Sequence, residues 1–156
     1  MAVLVGRNPA GQIVTHPTAN LVDQLIFPAR IDPGIEQGAE TVAKKIILDF
    51  NMVDLLAIEF LLTQEDQLLV NKVAPRPYNS GHHTIEGNIT SQYEQLLRAI
   101  LDPPLGDTSI CSPALMINLL GEPGHQGDVH YQGLNKVLVM KDVHVHIYGK
   151  KETKTF

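Results

Sequence analysis

The sequence predicts an α+β fold, a mostly antiparallel sheet with packed helices, followed by a small β-rich unit. Three observations carry that prediction. Two apolar runs of strand length, residues 55–62 and 67–73, are joined by a short polar turn at Glu65 and Asp66. Two segments, 32–50 and 91–102, combine helical periodicity with helix start signals. Beyond residue 104 the texture changes to short apolar stretches separated by turn residues.

Taken in order, residues 1–5 read as a strand, Asn8, Pro9, Ala10 and Gly11 as a turn, and 12–15 as the returning strand of a hairpin. Asp32 is an N-cap and Pro33 the first helical residue, where a missing N–H leaves no bond unmade. Ile35, Ala39, Val42, Ile46 and Phe50 then recur at helical spacing, a face expected to pack on the sheet. Ser91 and Glu94 make a capping box, Tyr93, Leu96, Leu97, Ile100 and Leu101 the expected apolar face, and Pro103 and Pro104 end the helix. The expected domain division is 1–104 and 105–156. In the second part, 114–120 reads as a strand, 121–124 as a turn, 135–140 as a short helix or strand and 143–148 as a strand. The tail 149–156, with Lys150, Lys151 and Lys154 and nothing after it to pair with, is expected to fray.

With 156 residues and 44% hydrophobic content the chain can bury one ordinary core, or one domain and part of another. A net charge of −5 and a pI near 5.7 leave no basic field for a nucleic-acid backbone. No apolar run has transmembrane length and residues 1–7 carry no signal-peptide pattern, so neither nucleic acid nor membrane is an expected partner and the cytoplasm is the simplest compartment. The single cysteine, Cys111, excludes an internal disulfide and is expected to be a buried structural thiol rather than a nucleophile.

Chemistry concentrates in residues 71–86, which crowd polar, charged and imidazole groups into a loop directly after an apolar strand. A two-residue hairpin loop at Glu65 and Asp66 puts Glu59, the one acid in the first run, directly across from Lys72. A carboxylate on paired strands suits a hard ion such as magnesium between protein and triphosphate, but on composition and spacing alone a cross-strand ion pair with Lys72 is the simpler reading of Glu59. Arg76 stands between Pro75 and Pro77, which stiffen its backbone for taking a phosphate or carboxylate in the planar guanidinium fork; alternatively the prolines merely end the strand. Asn79, Ser80, Gly81 and His82 offer an amide, a hydroxyl, a backbone open to close approach and an imidazole, or ordinary turn chemistry. His82 and His83 point apart on extended chain, and His144 with His146 lacks a third ligand for zinc.

The run 69–82, LVNKVAPRPYNSGH, resembles the NE-[VIL]-APRPHNSGH signature of the N5-carboxyaminoimidazole ribonucleotide synthetases, ATP-grasp enzymes of purine biosynthesis. Residues 3–8, 56–60, 90–100, 105–107 and 116–122 continue the likeness in order along nearly the whole chain. The resemblance implies an ATP-grasp carboxy-side lobe followed by that family's small β-rich subdomain. It implies a ligase that uses ATP and bicarbonate to carboxylate 5-aminoimidazole ribonucleotide. Matched residue by residue, Glu59 is the first magnesium-binding acid, Asn71 the asparagine of an ATP-contacting pair, and Arg76 the arginine that meets the reacting carboxyl or phosphate group. Asn79, Ser80, Gly81 and His82 match the substrate loop, and His16 a histidine that contacts the nucleotide. A second copy of the chain is a further partner that the resemblance admits.

Three features depart from the pattern. Lys72 stands in the second magnesium-ligand position, exchanging a carboxylate for an ammonium. Tyr78 replaces a histidine in the catalytic loop; an unperturbed phenol titrates near 10 and is poorly suited to proton transfer near neutrality. The family's N-terminal domain, with its phosphate-binding lysines and adenine clamp, has no counterpart here, nor has a later RKMGH-like segment. The expectation is therefore a fragment that does not turn over alone. Two rivals stand beside it. One is another purine-pathway ATP-grasp enzyme, a formate-dependent transformylase, whose loop resembles SPRPHDTG and fits Asn79 to His82 less well. The other is a noncatalytic interaction module in which Glu59 and Lys72 form a structural bridge.

Overall fold

A computed structural model of the chain describes residues 1–21 and 24–153, which form two compact units, Met1–Ile117 and Asn118–Phe156. Lys154, part of the tail read from the sequence, lies outside the described residues.

The first unit opens with β1 (Ala2–Arg7) and β2 (Ile13–Thr15), the hairpin read from the sequence, and continues with β3 (Asn20–Leu21) and β4 (Leu25–Phe27). Helix α1 (Pro33–Asp49) follows, with Asp32 accepting the Gly34 amide at 2.8 Å as its N-cap. Strands β5 (Asp54–Leu62) and β6 (Leu68–Ala74) come next, then a 3-10 turn at Asn79–Gly81, the short helix α2 (Thr84–Gly87), helix α3 (Gln92–Leu101) and β7 (Ala114–Met116). One antiparallel sheet runs β2-β1-β5-β6 and a smaller one β3-β4-β7. Strand β7 is hydrogen-bonded to β4, so it belongs with the first unit and is shorter than the expected 114–120 strand.

The four-stranded sheet is covered on both faces, which is why β5 is apolar almost throughout rather than alternating. On one face Val3, Val5, Leu56, Ile58 and Phe60 pack against Ala39, Ala43 and Ile47 of α1. The small Ala39 and Ala43 let the helix backbone approach closely, whereas Phe50 caps the helix from the exposed side. On the other face Leu4, Leu55, Ala57 and Ala74 meet Leu96 of α3 and Tyr78.

The capping box of α3 forms as expected, with Ser91 Oγ accepting the Glu94 amide at 3.2 Å, but the helix faces the other way. Gln92, Gln95 and Ala99 are fully buried, while Tyr93, Leu97, Ile100 and Leu101 are exposed. The glutamines turn inward because loop backbone lies beneath them: Gln95 Oε1 accepts from the Gly106 amide at 2.9 Å, and Gln92 serves the Tyr78 segment. Unpaired buried backbone groups cost more than exposed leucines do, and that decides the rotation of the helix.

The second unit holds β8 (Gly127–Asp128), α4 (Leu134–Leu138) and β9 (Glu152–Thr153), with β8 and β9 paired antiparallel. The start of the expected frayed tail is thus hydrogen-bonded. Residues 143–148, expected as a strand carrying His144 and His146 on one face, form no regular element. Cys111 is exposed, not buried; its amide donates to the Gly87 carbonyl at 2.9 Å.

Candidate functional site

Glu59 and Lys72 are directly opposite in the β5-β6 ladder, but not through a two-residue loop. The turn is longer, with the Thr63 amide donating to the Gln67 carbonyl at 3.0 Å and Asp66 in the left-handed region. It sets a register in which Phe60 faces Val70 and Leu62 faces Leu68. A β-bulge then takes up Asn71 and shifts the pairing so that Glu59 meets Lys72 and Ile58 meets Val73. Strict alternation would send residue 72 to the same face as Leu68, toward α1. The bulge instead keeps both Leu68 and Val73 on the α1 side and sends Lys72 to the face of Glu59.

The Lys72 ammonium hydrogen-bonds the Tyr78 hydroxyl. That bond is the main cause that raises the Lys72 pKa; attraction to Glu59 adds less and repulsion from Arg76 opposes it. Arg76 is exposed, donates from Nη1 to the Pro77 carbonyl at 3.1 Å, and brings its guanidinium carbon within 5.1 Å of the Tyr78 ring centre. Lys72 Nζ lies 4.8 Å from the same centre. The two residues at which this chain departs from the signature therefore touch each other, with Arg76 beside them.

The loop that follows is held from below by Gln92. Its Oε1 accepts the Tyr78 amide at 2.9 Å, and its Nε2 donates to the Tyr78 carbonyl at 3.0 Å and to His82 Nδ1 at 2.7 Å. Because Nδ1 accepts, the neutral His82 ring carries its proton on Nε2. The ring stacks on Tyr93 at 5.8 Å, and the Tyr93 hydroxyl also reaches Nδ1 at 3.0 Å. Asn79 is half-buried, Ser80 and Gly81 are buried. A Cβ on Gly81 would collide with the Gln92 side chain and come within 2.8 Å of Leu4 Cδ1, so glycine here serves close packing of the loop on the sheet.

His16 lies in the interior, fully buried, with Nε2 donating to the Thr90 carbonyl at 3.0 Å. Burial pushes its pKa down to about 4. His83, tilted at 37° against Phe27 with ring centres 4.2 Å apart, is likewise lowered to about 4, by burial first and by nearby His16 second. Gln92 and His83 are the site-supporting residues that periodicity missed. The available signal was a polar pair at i and i+3, Gln92 and Gln95, beside a loop whose backbone needed partners.

A magnesium ion takes oxygen ligands in near-octahedral array. Among the described residues no three His, Cys, Asp or Glu side chains converge, and the position facing Glu59 holds an ammonium. The donor set does not fit the ion. A cavity of about 460 Å³, lined by Ile26, Phe27, Arg30 and Leu115 among others, opens at the β4-β7 pair, away from these groups. None of Glu59, Lys72, Arg76, Tyr78 or residues 79–82 lines that hollow.

An ATP-grasp domain model matches residues 1–93, and a phosphoribosylaminoimidazole carboxylase C-terminal domain model matches 114–156. The chain is 41% identical to an N5-carboxyaminoimidazole ribonucleotide synthase of Bacillus subtilis, over 99% of this chain and 40% of that protein. It is similar to the crystal structure of N5-carboxyaminoimidazole ribonucleotide synthetase from Thermotoga maritima, with TM-score 0.94 and 44% identity over 99% of this chain and 43% of that one. A synthase from Aspergillus clavatus, solved with ADP and 5-aminoimidazole ribonucleotide, matches with TM-score 0.88 and 32% identity over 99% of this chain and 43% of that one. The chain thus spans about two fifths of the length of these relatives. No helix among the described residues is long and apolar enough to cross a membrane. The bulged hairpin with Glu59, the proline-bracketed Arg76 and the loop seated on Gln92 are the features this match covers, and the chain belongs to the ATP-grasp family.

Proposed function

We propose that this chain forms one wall of an ATP-dependent ligase that carboxylates 5-aminoimidazole ribonucleotide. In the balanced reaction ATP phosphorylates bicarbonate, and the exocyclic amine attacks the activated carbonyl. ADP, phosphate and the N5-carboxylated ribonucleotide leave. The observation that carries this reading is the order from strand to loop: Glu59 opposite Lys72, then Arg76 beside the Tyr78 ring, then the 79–82 loop seated on Gln92. Arg76 would hold the oxyanion, its fork pre-oriented by the Pro77 carbonyl. Asn79, Ser80, Gly81 and His82 would shape the ribonucleotide subsite, and His82 Nε2–H would be a hydrogen-bond donor to it. Asn71 at the bulge would contact the nucleotide, whereas His16, expected to do so as well, is fully buried on the Thr90 carbonyl and has no surface to offer it.

Magnesium enters no step here, because the chain's own donors do not fit it. The Tyr78 hydroxyl is engaged as acceptor of the Lys72 ammonium where the family motif has a histidine, so the chain alone is proposed not to turn over. A homodimer and a cytoplasmic location are part of the same reading. The test is an NMR titration of the 156-residue chain with 5-aminoimidazole ribonucleotide. Saturable shifts confined to the amides of 76–82 are expected, and shifts elsewhere or none would refute the subsite. A coupled ADP assay with ATP, bicarbonate and the ribonucleotide is expected to show no release. A second reading, a noncatalytic module, draws on the Lys72 to Tyr78 bond, although the Lys72 partner is then Tyr78 rather than the expected Glu59.

A further inference from the structure

Two cations, Lys72 and Arg76, are held at one aromatic ring on an exposed sheet edge, Lys72 Nζ 4.8 Å and the Arg76 guanidinium carbon 5.1 Å from its centre. Like charges brought together in the open are stabilised by an anion between them. The ring they share is fixed through the Tyr78 backbone, which Gln92 holds at both amide and carbonyl. The Tyr78 hydroxyl takes the ammonium and thereby sets where Nζ stands. Arg76 is fixed in turn by the flanking prolines and by its bond to the Pro77 carbonyl. The carboxylate nearest in register, Glu59, is a single negative charge against two positive ones.

We propose that this chain binds an oxyanion directly between the Lys72 ammonium and the Arg76 guanidinium, with Tyr78 as the spacer, so that a protein cation takes the place a bridging metal ion would otherwise fill. The shared chemistry is a group with two or more anionic oxygens, and both the phosphate chain of a nucleotide and bicarbonate present it. The inference rests on the ligase reading only for what owns that group; the cation pair itself is a property of this chain. A lysine at residue 72 removes a metal ligand and supplies a positive charge in one substitution, and a tyrosine at residue 78 gives that charge a fixed partner without neutralising it.

The experiment is an NMR titration of the full chain in EDTA with sodium tripolyphosphate and, separately, with bicarbonate, following Arg76 Nε–H and the amides of 72–79. Saturable shifts with at least one anion are expected, and the anion that saturates names the source. Binding should be about tenfold weaker in Lys72→Met and retained in Lys72→Arg, since a charge-assisted hydrogen bond is lost in the first and kept in the second. Excess magnesium should weaken tripolyphosphate binding by competing for the anion. Saturation only with magnesium, equal affinity in Lys72→Met, or no saturation with either anion would overturn the proposal. Ribonucleotide shifts at 79–82 are read independently, so the failure of one idea is told apart from the failure of the other.

Discussion

The side chain of Gln92 closes two hydrogen bonds on the backbone of Tyr78, accepting from its amide at 2.9 Å and donating to its carbonyl at 3.0 Å. A buried side-chain amide thus imitates a strand partner for a residue that has already left the sheet. Its remaining N–H goes to His82 Nδ1, so both donors of the amide and one lone pair of its oxygen are used on one loop.

Gln92→Ala should therefore strand the Tyr78 amide and carbonyl and leave His82 Nδ1 to the Tyr93 hydroxyl. The expected loss is about 2–4 kcal/mol, from unmade bonds of buried groups. Urea unfolding measures it. Gln92→Glu keeps the acceptor but loses both donors, and it should fall between alanine and the parent.

Acid should destabilise the first unit before carboxylates are involved. His16 and His83 have folded-state pKa values of about 4 against an ordinary 6.5. Above 6.5 both are neutral in either state and the stability is complete. As pH falls from 6.5 to 4 the unfolded chain takes up protons that the folded chain refuses, so stability falls throughout that window. The loss is about 3 kcal/mol for one such histidine by the bottom of the window. His83→Leu, which keeps an apolar neighbour for Phe27, should flatten the acid limb of a stability-against-pH curve measured by denaturant unfolding.

Gly81→Ala tests whether the loop is seated by close packing. The added methyl meets Gln92 and Leu4, and the expected cost is about 1–3 kcal/mol from overpacking. Amide shifts at 78–82 should move with it, while those of α1 should not.

Lys72→Glu places two carboxylates face to face at residues 59 and 72. Without metal, the like charges should lower the melting temperature. Millimolar magnesium should return it, and the melting temperature with and without the ion reads both effects. A melting temperature indifferent to magnesium would mean that the two positions do not share an ion.

Much of the first unit was legible in the sequence because its signals are local. The β1-β2 hairpin, the Asp32 cap and the Ser91 capping box are set by residues within a few positions of one another. The pairing of Glu59 with Lys72 was also anticipated, though from a loop shorter than the real one, and the bulge at Asn71 compensated for the difference. What could not be read was which face of α3 turns inward. Its apolar residues give a clean helical stripe, yet the buried side is Gln92, Gln95 and Ala99, because the need of distant loop backbone for partners is written nowhere in the helix. Strands β3 and β4 are too short to carry a pattern, and their pairing with β7 depends on contacts far along the chain. The candidates from Asn71 to His82 came from the 69–82 motif, but the contact between Lys72 and Tyr78 emerged only when strand and loop were brought together in space.

The slack at Asn71 gives the hairpin two independently indexed halves. Residues 63–67 lie outside the paired ladder, so residues added around Gln64 extend the turn and leave the pairs down to the root at Glu59 in register. The far end of this hairpin is thus a natural place to graft a tag or a reporter without retuning the chemistry beneath it.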